Sequence, residues 1–194
     1  MLNLILFGPP GSGKGTQAEK LKSHYQLLHI STGDIFRSEI KAQTPLGLEA
    51  KKYLDAGQLV PDDVTIRMLA AFVDAHSGSS TRGIIFDGFP RTLPQAHALD
   101  VFLQERNLPV TRVLSLEVNE EELIRRIVKR GETSGRSDDQ NPEMARKRLE
   151  VYHNQTAPLA EYYETQNKFV SLHGEGSIEE IFNSLCTAID EVNA

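Results

Sequence analysis

The sequence predicts an α/β protein built on a doubly wound, five-stranded parallel sheet with helices on both faces. Three observations predict it: short apolar runs recur along the chain, longer segments with helical periodicity separate them, and the first apolar run opens into a glycine-rich loop that leads into a helical pattern. Strands that alternate with helices are joined by crossovers, which cover both faces of a parallel sheet and bury its strands.

The strands are read at "LILF" (4–7), "LLHI" (27–30), "IIFD" (84–87), "VLSLEV" (113–118) and "FVSL" (169–172). Helical patterns cover 14–24, 32–42, 46–56, 62–76, 94–106, 120–130, 142–165 and 178–192. Ligands of such sheets sit beyond the carboxyl ends of the strands, which places the loops after Phe7, Ile30, Asp87, Val118 and Leu172 on one rim. Two stretches interrupt the alternation. Residues 31–60 hold two helical patterns with no strand between them, and "GETSGRSDDQNP" (131–142) reads as a polar surface loop, so both are expected as inserts. Pro158 should kink or end the helical pattern that contains it.

With 194 residues, 39% hydrophobic and 25% charged, the chain has material for one substantial core, so a single domain spanning 1–194 is expected. The run at 4–7 has no basic flank and breaks at once into "GPPGSG", unlike a secretory signal, and no run approaches a membrane span, so a cytoplasmic protein is expected. Cys186, the single cysteine, falls among Ile181, Phe182, Leu185 and Ile189 and is expected as a core thiol. The net charge of −6 argues against nucleic acid or an anionic membrane surface as partner. Between Arg125 and Arg148, however, eight basic residues face four acidic ones. On charge pattern alone that segment is a solvated helix face.

Gly8, Gly13 and Lys14 match G-x-x-x-x-G-K between a predicted strand and a predicted helix. Backbone N–H groups freed by glycines, the helix N-terminus and a lysine together predict phosphate binding, with Lys14 on the phosphate. The residue after Lys14 is Gly15 and the hydroxyl comes one later, at Thr16, so magnesium is expected on phosphates and water. Asp87 ends a strand on the same rim, where a carboxylate can hold a magnesium-bound water, and Arg91 follows within reach of a phosphate. "ISTGDIFR" (30–37) has capping-box spacing from Ser31 to Asp34 and predicts a helix start. Arg126 and Arg130 share a helix face, Arg146 and Arg148 do not, and the six histidines show no metal-ligand spacing.

"FGPPGSGKGTQA", "HISTGDIFR", "DGFPRTLPQA", "KRGETSGRSDD" and "RKRLEVYHNQTAPL" resemble, in order and over essentially the whole chain, the adenylate kinase family in its short-lid form. The resemblance implies reversible phosphoryl transfer from MgATP to AMP, giving two ADP. It implies that Pro10, Gly11, Ser12, Gly13, Lys14, Gly15 and Thr16 wrap the ATP phosphates, with Arg130 and Gly176 also at ATP. Thr32, Arg37, Gln58, Leu59, Val60, Gly88, Phe89, Pro90, Arg91 and Gln95 would form the AMP pocket, with 31–60 as the AMP-binding insert and 130–140 as the lid. Arg136 and Arg148 would bridge the reacting phosphates, and Lys14, Arg91 and Arg126 would serve transfer with them. The lid carries no cysteine, so no zinc is expected, and the family implies a monomer.

A kinase for UMP or CMP is the nearest alternative reading, and Thr32 with "TLPQ" ending in Gln95 speaks for AMP. A nucleotide-dependent switch without kinase turnover would need only the loop and Asp87.

Overall fold

The computed structural model describes residues 1–76, 81–139 and 141–192. Five strands among them, β1 (Leu2–Phe7), β2 (Leu28–Ser31), β3 (Gly83–Asp87), β4 (Arg112–Glu117) and β5 (Phe169–His173), form one parallel sheet in the order β2-β3-β1-β4-β5. Each lies within two residues of its predicted run. β1 is central and buried along its whole length, as a strand covered on both faces must be. The one polar residue in it, Asn3, is satisfied: its Nδ2 donates to Leu108 O (2.9 Å) and Pro109 O (3.2 Å), and its Oδ1 accepts from Ile84 N (3.2 Å).

Side chains alternate across the sheet into two apolar layers. On one face Ile5, Ile84, Phe86 and Val113 pack with Leu69 and Val73 of α4 (Asp62–His76), Leu99 and Leu103 of α5 (Leu93–Gln104), and Leu159 and Tyr163 of α8 (Leu159–Glu164). On the other, Leu4, Leu6, Ile85 and Leu114 pack with Ala18 and Leu21 of α1 (Lys14–Tyr25) and with Ile181, Leu185 and Ile189 of α9 (Ile178–Asp190), where Cys186 lies half-buried against the layer. The chain therefore leaves β1 toward one face and its hydrogen-bonded neighbour β3 toward the other. Leu6 pairs with Asp87 where the two strands part, which makes their carboxyl ends the switch point of the sheet.

Residues 31–60 hold α2 (Thr32–Lys41) and α3 (Pro45–Asp55), which share with α4 a small apolar cluster of their own: Phe36, Ala50, Val60 and Val64. Ser31 caps α2 by accepting from Asp34 N (3.3 Å), as its spacing predicts.

One expectation needs correction and another needs refinement. Residues 131–134 are not loop: α6 runs from Glu120 to Ser134 and stops at Gly135, whose φ of 64° closes the helix in the left-handed region. The turn that follows, Ser137–Asp139, is folded back so tightly that a Cβ on Gly131 would lie 2.2 Å from Asp139 O, and Asp138 and Asp139 are buried. Hydrophilic residues read as surface because the sequence does not display their basic partners. The pattern at 142–165 does break at Pro158, the residue that caps α8, but its regular helix ends earlier than the proline. α7 (Pro142–Val151) passes into a π-helical turn, Tyr152–Thr156, in which Ala157 N donates to Tyr152 O (2.9 Å), and α8 follows. The wide turn turns Thr156 toward the β3 loop, where its hydroxyl donates to Arg91 O (2.9 Å).

Gly131→Ala should lower stability by about 1–3 kcal/mol, because the Ser137–Asp139 turn must move to admit one methyl group. Helix propensity alone predicts the opposite sign, so an unchanged or raised Tm would refute the close approach.

Candidate active site

The phosphate loop is shaped by backbone that side chains would obstruct. A Cβ on Gly8 (φ 138°) would lie 2.7 Å from Ser12 Oγ and 2.9 Å from Leu116 O. Gly13 caps α1 at φ 93°, nothing would meet a Cβ there, and the residue lines a cavity of about 510 Å³. Lys14 Nζ bends over the loop and donates to Gly8 O (2.6 Å), Pro9 O (2.9 Å) and Ser12 Oγ (3.4 Å). Burial pushes the Lys14 ammonium down to about 8, against the pull of Asp87 and with the repulsion of Arg91, Arg130 and Arg148.

Pro10, Gly11, Gly13, Gly15 and Thr16 line the cavity with Lys14, while Ser12 is buried beneath the loop. Asp87 reaches in from β3, its Oδ2 3.8 Å from where a Cβ on Gly15 would lie. Beside it stands His29, whose role the sequence did not show. Its Nε2 is 3.4 Å from Asp87 Oδ2 and its Nδ1 2.9 Å from Glu19 Oε1. Burial favours the neutral ring, but the two carboxylates outweigh it and hold the His29 pKa above the ordinary imidazole value. A lone histidine on a strand carries no spacing signal, so only the fold could reveal it. The magnesium that the resemblance implies fits this corner. No group of three or more His, Cys, Asp or Glu among the described residues is placed to hold a metal, so the ion would take most of its oxygens from phosphate and water beside Asp87.

The arginines arrive on five segments of the chain. Arg37 Nη2 donates to Asp34 Oδ1 (2.6 Å), and Arg136 Nη2 approaches the same oxygen (3.5 Å). Arg130 is bidentate on Asp139 (2.6 and 2.9 Å), and Arg148 meets Asp139 and Asp138 Oδ2 (3.1 Å). Arg91 Nε donates to Gly88 O (2.7 Å), which also accepts from Thr32 Oγ1 (2.8 Å). Burial and then the neighbouring Arg148 press the Arg91 guanidinium down to about 10, and burial, Arg37 and Arg130 lower that of Arg136. Arg37, Arg91, Arg130, Arg136 and Arg148 all line the cavity with Gln58, Leu59, Gly88 and Pro90, and so do Glu19, Asp34, Asp138 and Tyr152, which the sequence did not single out for it.

A recess adjoining the cavity is lined by Thr32, Gln58, Leu59, Val60, Gly88, Arg91 and Gln95. Besides Ser12, three expected residues lie outside both linings. Phe89 is in the core beneath the sheet rim. Arg126 donates to Glu122 Oε1 (2.6 Å) and Gly174 O (3.3 Å), and Gly176, at φ 125°, lies in the turn before α9. Arg146 is exposed, in keeping with its facing away from Arg148.

Asp139 has no exposed surface, and its neighbouring guanidiniums hold its carboxyl below the ordinary value despite burial. Asp139→Asn should therefore cost about 3 kcal/mol or more near pH 6, as for a buried ion pair that loses one partner. A depressed carboxylate pKa contributes stability that is complete above the unfolded value near pH 4 and lost as pH falls through the folded value. Thermal unfolding of the two proteins should differ at pH 6 and converge as the pH falls through the depressed Asp139 carboxyl pKa. Equal Tm at pH 6 would contradict the pairing.

The adenylate kinase family model matches residues 6–168. The chain is 54% identical to the adenylate kinase of Parabacteroides distasonis over 192 residues, covering 99% of this chain and 100% of the relative. It is 52% identical to the adenylate kinase of Bacteroides fragilis (98% and 99% covered) and 51% identical to that of Flavobacterium psychrophilum (99% and 100% covered). The phosphate loop, the arginine-lined cavity and this likeness along the whole chain lead to one conclusion: the chain belongs to the adenylate kinase family.

Proposed function

We infer that this enzyme transfers the terminal phosphoryl group of MgATP to AMP, giving two ADP, with the phosphate loop holding the donor and the 31–60 insert holding the acceptor. The observation that carries the reading is the convergence of Lys14, Arg37, Arg91, Arg130, Arg136 and Arg148 on one cavity flanked by a recess that ends at Gln95. A nucleotide switch would need one phosphate site, and the second set of cations has no use in it.

An AMP phosphate oxygen is already an anionic nucleophile at neutral pH, so no general base is needed. Transfer needs positioning and positive charge around the moving group. Lys14 and Arg130 act on the donor phosphates, Arg37 and Arg91 on AMP, and Arg136 and Arg148 on the group in flight, with Arg126 assisting and Gly176 toward the donor's adenine. Magnesium, when bound with ATP, neutralises charge on its phosphoryl oxygens, and Asp87 would hold one of its waters. Water must be kept from the reacting phosphate, and the two inserts meet to do this. Ser137 Oγ donates to Asp55 Oδ1 (2.5 Å), and beside this contact, on α7 just past the lid, Met144 Sδ lies 2.8 Å from where a Cβ on Gly57 would be. Gln140, the last residue of the expected lid, lies outside the described residues.

A monomer in the cytoplasm, acting on ATP, AMP and ADP and not on nucleic acid or membrane, completes the proposal. No helix among the described residues is long and apolar enough to cross a membrane, and the net charge of −6 disfavours polyanionic surfaces.

ADP formation should be fast from MgATP with AMP and slow with UMP, CMP, GMP or no acceptor. Lys14→Ala should lower kcat/KM by about 10²–10³-fold while the circular dichroism spectrum is unchanged. Full turnover by folded Lys14→Ala, or preference for a pyrimidine acceptor, would overturn the assignment.

A further inference from the structure

Gln95 is 2% exposed, and its amide is pinned at both ends by groups that leave it no choice of direction. Its Oε1 accepts from Arg91 N (2.8 Å), a backbone group that can only donate. Its Nε2 donates to Asp62 Oδ1 (2.8 Å), a carboxylate oxygen that can only accept when ionised. The same Asp62 oxygen accepts from Thr92 Oγ1 (2.9 Å), whose lone pair accepts from Gln95 N (3.4 Å). Asp62 is the first residue of α4 and Thr92 the cap of α5, so the network ties two helix starts together behind the recess.

We propose that Asp62 is the positioning residue that sets acceptor-base specificity, by locking the Gln95 amide so that it accepts 6-aminopurine and rejects 6-oxopurine. The proposal rests on Gln95 reading the acceptor base. With both ends tied, the amide has one N–H and one lone pair left, in fixed order. That order matches adenine, which offers an N–H at the 6-position beside a ring-nitrogen acceptor. A 6-oxopurine offers the reverse, an acceptor at the 6-position beside a ring N–H, and needs the amide flipped. Flipping sets the Gln95 NH₂ against the Arg91 N–H and its oxygen against the Asp62 carboxylate, two repulsive contacts in a buried site. An asparagine at 62 can turn its own amide to donate to the flipped Gln95, which removes the stronger contact.

The test is kcat/KM for AMP and for IMP, which differs from AMP in the base only at the 6-oxo group and ring N–H, at saturating MgATP. Wild type, Asp62→Asn, Asp62→Ala and Gln95→Ala are compared. The ratio of two acceptors on one preparation cancels the active fraction, so a partly folded variant still reports. Asp62→Asn should lower the AMP:IMP ratio about tenfold or more, partly through a gain on IMP, with KM for MgATP within about twofold of wild type. Asp62→Ala should lower the ratio without that gain. An unchanged ratio in both Asp62 variants, or equal losses on AMP and IMP, overturns the proposal. Gln95→Ala distinguishes the two failures: a collapsed ratio there with an unchanged one in the Asp62 variants removes Asp62 alone, whereas an unchanged ratio in Gln95→Ala removes the reading of Gln95 and the proposal with it.

Discussion

Repulsion among cations is the constraint around which this molecule is arranged. Lys14 and five arginines line the cavity among the described residues, against four carboxylates, and burial makes Lys14, Arg91 and Arg136 dearer to keep charged. Lys14 at about 8 and Arg91 at about 10 record that cost directly. The basic groups of the cavity are therefore more stable beside a polyanion than without one, which is the electrostatic form of readiness for two nucleotides. The sheet makes the arrangement possible. β1 and β3 part at Leu6 and Asp87, and the phosphate loop and the "DGFPR" loop open from the same gap without crossing.

The carboxylates that hold the arginines divide by burial into two kinds with different consequences. Asp139 has no exposed surface and grips Arg130 and Arg148 from below, so it sets where those guanidiniums stand. Asp34 is largely exposed and shared between Arg37 and Arg136. Exposed pairs of that kind are worth little and are readily exchanged for a phosphate, which is a better bidentate partner. Positioning and exchange are thus assigned to different acids. The same division explains why Gly131 sits inside α6: the buried acid can reach its arginines only if the turn carrying it lies against bare backbone.

The phosphate loop was legible because strand, glycines, lysine and helix are contiguous, and local backbone geometry is enough to build the site. Asp87 and Arg91 were legible because they follow a strand whose end lies on the rim. Asp139 was hidden, since two aspartates in a polar run look solvated until α6 and α7 bring Arg130 and Arg148 over them. His29 was hidden for the same reason, its partners Glu19 and Asp87 being distant in sequence. The break after α7 escaped because the proline marks a break without saying that the chain will widen into a π turn before reaching it. Only the family resemblance proposes Gln95 as a base reader, and the hydrogen bond that fixes its amide comes from Asp62, which ordinary helix-start chemistry also accounts for.

The most direct test of the electrostatic account is the number of protons taken up when MgATP binds, obtained by calorimetry at pH 8.5 in buffers of different ionisation heat. With Lys14 at about 8 before binding and restored toward its ordinary value by phosphate, uptake of about three quarters of a proton is expected, and it should vanish in Lys14→Ala. Binding with no proton uptake, or with the same uptake in Lys14→Ala, would show that the lysine is not the strained charge that the nucleotide relieves.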